Sequence, residues 1–150
     1  MTISFFVPGV AKTAGSKRPF VVRRKRDGKP VAVVTDDNKN SKDWKADVKQ
    51  FAAEACADQP LMDGPIFLRL TFYLSRPKGH RGKTGRILDS APKYPTVKPD
   101  VDKLSRAIMD ALTEIVWNDD AQVVTKLAMK RFSDKPLEMP GVLIEIQPAV

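Results

Sequence analysis

Apolar residues recur along this chain with two periods, and the places where one gives way to the other divide it into elements. Residues 2–7 carry Ile3, Phe5, Phe6 and Val7 in a short extended run closed by Pro8-Gly9, which predicts a first strand. Residues 20–24 and 30–35 are rich in β-branched side chains, and the Asp27-Gly28 between them predicts a hairpin turn. From Ser41, a suitable N-cap, Trp44, Val48, Phe51, Ala52 and Ala55 return at helical spacing, predicting a helix over 41–57. After the break at Gly64-Pro65, Ile66, Leu68, Leu70, Phe72 and Leu74 alternate with Phe67, Arg69, Thr71 and Tyr73, as a half-buried strand requires. Leu104, Ala107, Ile108, Ala111, Leu112 and Ile115 follow the i, i+3, i+4, i+7, i+8, i+11 pattern of an amphipathic helix. Residues 122–132 and 141–147 read as closing strands around a turn holding Pro136 and Pro140. The order β-ββ-α-β-α-β-β predicts an α+β fold, a mixed β-sheet with two main helices packed on one face.

Composition fits this picture and adds a charge. A chain of 150 residues, 42% apolar, buries roughly two-thirds of its unfolded surface, so one domain over 1–150 is expected. Lys and Arg number 26 against 18 Asp and Glu, a net charge of +8, which favours a polyanionic partner. A membrane is disfavoured: no apolar run approaches the ~20 residues of a spanning helix. Cys56 is the sole cysteine, so neither an internal disulfide nor a cysteine-rich zinc site is available, and a reducing, cytoplasmic setting is expected. The first ten residues lack a basic start and are expected as a strand rather than a signal peptide.

The basic charge is concentrated. Lys12, Lys17, Arg18, Arg23, Arg24, Lys25, Arg26 and Lys29 face one acid, Asp27, while Arg76, Lys78, Arg81, Lys83, Arg86, Lys93 and Lys98 face only Asp89. The second group lies in a Gly- and Pro-containing stretch at about 75–98, too long for an ordinary connection and expected as a mobile arm that orders on nucleic acid. Candidate phosphate contacts are Lys12, Lys17, Arg18, Arg76, Lys78, Arg81, Lys83, Arg86 and Lys98. His80, with no second His or Cys near it, is expected at phosphate or solvent rather than on zinc.

Against this background two acidic clusters stand out: Lys98-Pro99-Asp100-Val101-Asp102-Lys103-Leu104, and Trp117-Asn118-Asp119-Asp120 beyond the helix. Asp100 and Asp102 sit where an irregular segment enters the helix, so both carboxylates can converge on one ion. Asp102 and Arg106 lie about 40° apart on the helical wheel, opposite the apolar stripe. Asp119 or Asp120 completes a three-carboxylate site if the chain doubles back along the helix. Such oxygen donors select Mg²⁺ or Mn²⁺ over zinc, and an ion so held can orient water on a phosphodiester. The same residues also have a structural reading: Asp100 as an N-cap, Asp102 paired with Arg106, Asp110 paired with Arg106, and Asp119-Asp120 as a plain turn.

The window from Lys98-Pro99-Asp100-Val101-Asp102 through Asp110-Ala111-Leu112-Thr113 to Trp117-Asn118-Asp119-Asp120-Ala121-Gln122-Val123-Val124 resembles the RusA family of Holliday-junction resolvases. The resemblance implies a small dimeric Mg²⁺-dependent endonuclease, often phage-borne, that nicks branched DNA. It places the family's metal-binding acids on Asp100, Asp102 and Asp120 and leaves Asp119 a supporting role. Two positions depart from the family pattern: Lys103 stands where Asn follows the second Asp, and Arg106 where a catalytically important Lys stands one turn later. Arg106 keeps the charge but cannot donate a proton, so Lys103 is the candidate for the missing amine. The implied function is a structure-selective endodeoxyribonuclease of recombination, repair or phage DNA processing, acting on four-way junctions. The alternative is a non-catalytic binder of branched DNA or RNA.

Overall fold

A computed structural model of the chain describes residues 2–14, 17–23, 30–36, 41–135 and 139–149, with backbone alone described for 17–23, 30–36 and Ser41. The basic hairpin tip at 24–29 lies outside the described residues. The fold is organised around one strand, β4 (Ile66–Leu74). It pairs antiparallel with β6 (Gly141–Pro148) and parallel with β5 (Val123–Phe132), and β6 pairs antiparallel with β1 (Ile3–Pro8), giving the order β1-β6-β4-β5. Strands β2 (Lys17–Arg23) and β3 (Pro30–Asp36) form the expected hairpin as a separate two-stranded sheet. With α1 (Ser41–Ala55) and α2 (Val101–Leu112) packed against each other and over the four-stranded sheet, the α+β architecture of a mixed sheet and two helices is the one the sequence pattern predicts.

Alternation in β4 decides which face is covered. Ile66, Leu68, Leu70 and Phe72 are fully buried, and the register sets Ile146, Ile144 and Val142 beside the last three, with Ile3, Phe5 and Val7 beyond them on β1. Trp44, Val48 and Ala52 of α1 and Leu104, Ala107, Ile108, Ala111 and Leu112 of α2 close the core. Each large aliphatic side chain so buried contributes about 1.5–3 kcal/mol. A one-residue slip of β4 would turn Arg69 and Thr71 into that layer, so the register is strongly specified.

A parallel β4–β5 pair needs a crossover, and α2 provides it, reached from β4 through the loop at 75–100. The helix is shorter than its apolar stripe. It ends at Leu112, and Ile115 belongs to a turn in which Glu114 has φ of 69° and donates its N–H to Trp117 O at 2.6 Å. The turn is driven by Trp117, which is fully buried and bridges to both Met62 and Thr113. No helix among the described residues is long and apolar enough to cross a membrane.

Gly141 shows how tightly β6 enters the sheet. Its φ is 155°, and a Cβ there would lie 2.3 Å from Val7 O and 2.6 Å from the Phe6 ring. Since backbone cannot yield as a flexible side chain can, Gly141→Ala is expected to destabilise the fold by about 2 kcal/mol or more. The check is the urea midpoint at unchanged m-value; an unshifted midpoint would contradict the packing described.

Candidate active site

The N-terminal end of α2 presents two carboxylates to solvent. Asp100 occupies the N-cap position in extended conformation, yet its side chain makes no capping hydrogen bond. The structural role that its position suggests is therefore unfilled, and the carboxylate stays exposed. Asp102, in the first turn, has 87% of its side chain exposed and faces Lys126 of β5, whose Nζ is 4.0 Å from Oδ1. Helix geometry favours negative charge at this end, where backbone N–H groups lack partners.

Lys126 and Lys130 were not found from the sequence. In the parallel register Lys126 lies beside Leu68 and Lys130 beside Phe72, so both stems start on the face that carries the helices. Because β5 is the sheet's edge, their ammonium groups reach past the core toward the start of α2. Lys130 donates to Val97 O at 2.7 Å and Pro99 O at 2.9 Å, clamping the segment that delivers Asp100. The available signal was two lysines spaced four apart, on one face of a predicted strand that runs back along the helix.

The remaining helix charges are arranged differently from the expected pairs. Asp110 bonds Lys45 of α1 at 3.3 Å instead of Arg106, fastening the two helices together. Asp102 lies nearest Lys126 instead of Arg106, because the edge lysine reaches the helix end. Arg106 and Lys103 both project into solvent; the backbone carbonyl of Lys103 accepts a hydrogen bond from Ala14 N at 3.2 Å.

Asp120 is built into the opposite end of α2. Its Oδ1 accepts from Thr113 Oγ1 at 2.5 Å and Trp117 Nε1 at 3.0 Å, while Asp119 and Gln122 form a capping box around the short turn Asp120–Gln122. Thr113 caps α2 eleven residues after Asp102, about 16 Å along the axis at 1.5 Å per residue. The chain does double back along the helix, but only after Asp120, so the return brings lysines rather than acids to the start of α2. Among the described residues no three Asp, Glu, His or Cys side chains are close enough to hold a metal ion. Asp100, Asp102 and Asp120 of one chain therefore do not form a common cage.

The stretch at 75–98 folds back on the sheet. Arg76, 4% exposed, makes a two-pronged ion pair with Asp134 at 2.7 and 2.9 Å, donates to Pro92 O at 2.7 Å, and lies 4.0 Å over the Phe132 ring. It is spent on holding the loop and is not available to phosphate, contrary to its expected role. His80, 3.2 Å from Arg76 and edge-on to Phe132 at 5.6 Å, packs against both and keeps part of its surface exposed. Lys78, Arg81, Lys83, Arg86 and Lys98 are exposed, Lys12 is half-buried, and the side chains of Lys17 and Arg18 lie outside the described residues.

A small α+β protein with outward acids at a helix start and exposed cations on an adjoining loop has the layout of a phosphodiester-binding protein. The chain matches the family model of endodeoxyribonuclease RusA over residues 11–147, and it belongs to that family. It is also similar to the uncharacterized protein YqaN of Bacillus subtilis (strain 168), 29% identical over an aligned length of 93 that covers 59% of this chain and 66% of that protein. The match thus spans just under two-thirds of the relative's length.

The Arg76–Asp134 pair gives the loop a pH dependence. Hydrogen bonds from Arg76 hold the Asp134 carboxyl below its ordinary value of 3.8. A depressed carboxyl contributes stability above its unfolded pKa and loses it as pH falls through the lower folded value. Asp134→Asn is expected to melt below the parent at pH 6, with the gap narrowing as both are acidified below pH 4. Parallel melting curves over that range would sink the assignment.

Proposed function

We propose that the protein is a Mg²⁺-dependent endonuclease that nicks Holliday junctions or related branched DNA, as a homodimer, in recombination, repair or phage DNA processing. The observation that carries this reading is the RusA match over 11–147 falling on two exposed carboxylates, Asp100 and Asp102, with an ammonium 4.0 Å from the second. Exposed aspartates are the hard oxygen donors that Mg²⁺ or Mn²⁺ takes. Asp100 and Asp102 would hold such an ion, which would supply an activated water and screen the charge of the phosphate.

The residues divide the remaining work. Water attacks phosphorus and releases a proton to solvent, the bond to the leaving oxygen breaks, and that oxygen needs a proton. Our candidate to give it is Lys126, whose Nζ lies 4.0 Å from Asp102 Oδ1, ahead of the exposed Lys103. Arg106 holds the phosphate by charge and hydrogen bonds, and the exposed Lys78, Arg81, Lys83, Arg86 and Lys98 follow the flanking backbone.

Asp120 enters from the other protomer. Within one chain it is tied to Thr113, about 16 Å from Asp102 along α2, a separation that side-chain rotation does not close. In a two-fold dimer with α2 helices alongside and opposed, the C-terminal end of one meets the N-terminal end of the other, and both sites are completed at once.

Three measurements test these statements. With a synthetic four-way junction, Asp102→Asn and Asp120→Asn are each expected to abolish Mg²⁺-dependent nicking while junction binding in EDTA persists. Mixing the two variants and allowing subunit exchange restores one intact site in each mixed dimer, roughly a quarter of parental activity. No nicking by the parent leaves only a DNA-binding protein, and no recovery on mixing refutes the shared site. Lys126→Ala is expected to lower kcat about a hundredfold with binding unchanged, and Lys103→Ala to do far less; the reverse order would return the role to Lys103.

A further inference from the structure

A groove of about 300 Å³ opens beside the Asp100 segment, walled by Tyr73, His80, Tyr94, Val97, Pro99 and Phe132. Its lining is largely apolar, and among the described residues no carboxylate lines it. Pro99 is both part of its wall and the residue before Asp100, so the groove is covalently continuous with the proposed phosphate site. Lys98 also lines it, and Lys93 Nζ sits 5.5 Å from the Tyr94 ring. Tyr94 is 58% and Val97 71% exposed, unusual for an aromatic and a branched aliphatic side chain in so charged a neighbourhood. Tyr94 also borders the hollow formed by Lys93, Met129, Lys130, Arg131 and Asp134, so it stands as a partition between two concave surfaces.

The groove is also firmly built. Lys130 grips Val97 and Pro99 by their carbonyls, and Arg76, itself paired with Asp134, holds Pro92 and the face of Phe132, which also line the groove. A largely apolar groove with aromatic rings and Lys98 in its lining and Lys93 beside Tyr94 suits a planar heterocycle carried on an anionic chain, and a nucleobase is such a group.

We propose that this groove receives one unstacked nucleobase next to the phosphate held at Asp100 and Asp102, with Tyr94 as its stacking wall. The proposal rests on the nuclease reading and adds a basis for substrate choice. Extracting a base from an intact duplex costs a few kcal/mol, and least where pairing is already disturbed. An aromatic wall returns about 1–3 kcal/mol per stacked base. The balance is unfavourable on continuous duplex and favourable at a branch point, so the groove selects branched DNA without reading sequence.

The test uses the full chain and junctions carrying 2-aminopurine singly at each nucleotide beside the branch point, in EDTA so that nothing is cut. One position is expected to brighten several-fold on binding to the parent, to stay dark with Tyr94→Ala, and to brighten again with Tyr94→Phe. In Mg²⁺, Tyr94→Ala is expected to lower junction kcat/KM roughly tenfold, and an abasic nucleotide at the responsive position to abolish that difference. Brightening without nicking would keep the groove and remove the nuclease reading. Nicking with no bright position, or an abasic junction on which Tyr94→Ala still costs the same factor, overturns the groove and leaves the nuclease. Absence of junction binding overturns both.

Discussion

The length of α2 is the constraint on which the rest depends. Twelve residues of rigid helix, Val101–Leu112, bridge the parallel strands β4 and β5, and the apolar stripe Leu104, Ala107, Ile108, Ala111 and Leu112 anchors it in the core. Its rotation and axial position are therefore set by packing, and the acids at its two ends inherit fixed places. Asp100 and Asp102 are held at one end and Asp120 at the other. No local adjustment brings them together, because sliding the helix by even one turn would expose part of that stripe. Core packing thus fixes the separation between the two acid clusters of one chain.

The second acid cluster owes its order to a different kind of burial. Trp117 is fully buried, and its indole N–H, which burial would otherwise leave costly and unpaired, is satisfied by Asp120. Thr113 shares the same carboxylate oxygen, and Gln122 ties the turn to Met62 O and Gly64 O. One oxygen of Asp120 thereby serves the fold, and no described residue donates to the other. The carboxylate is thus oriented by the fold through one of its two oxygens.

Elements with strong periodicity were legible in the sequence: β4 from its alternation, α2 from its stripe, and the hairpin from Asp27-Gly28 between β-branched runs. The outward faces of Asp102 and Arg106 also followed from helical phase. What periodicity does not encode is where an element's ends fall relative to other elements. The apolar stripe continued to Ile115, but the helix stopped at Leu112 because Trp117 required a turn. The third acid was expected to fold back onto the first two, whereas the fold-back begins after it. Lys126 and Lys130 looked like ordinary polar positions of a half-buried strand, since their meaning depends on the parallel register with β4 and on β5 being the sheet's edge.

Charge composition was the least transferable clue, because a net charge of +8 does not say which cations face outward. Arg76 sits in the most basic stretch of the described chain, yet it is buried against Asp134 and Phe132. Lys130 binds two backbone carbonyls and Lys45 an acid of the neighbouring helix. These three act as internal fasteners. A planar guanidinium suits Arg76's place, since it pairs with a carboxylate through two hydrogen bonds while stacking on an aromatic face. Arg76 and Lys130 shape the loop at 75–98, and that shape in turn presents Lys78, Arg81, Lys83, Arg86 and Lys98 to solvent. The basic surface of the loop is thus held in place by one cation of its own stretch, Arg76, and one of the neighbouring strand, Lys130.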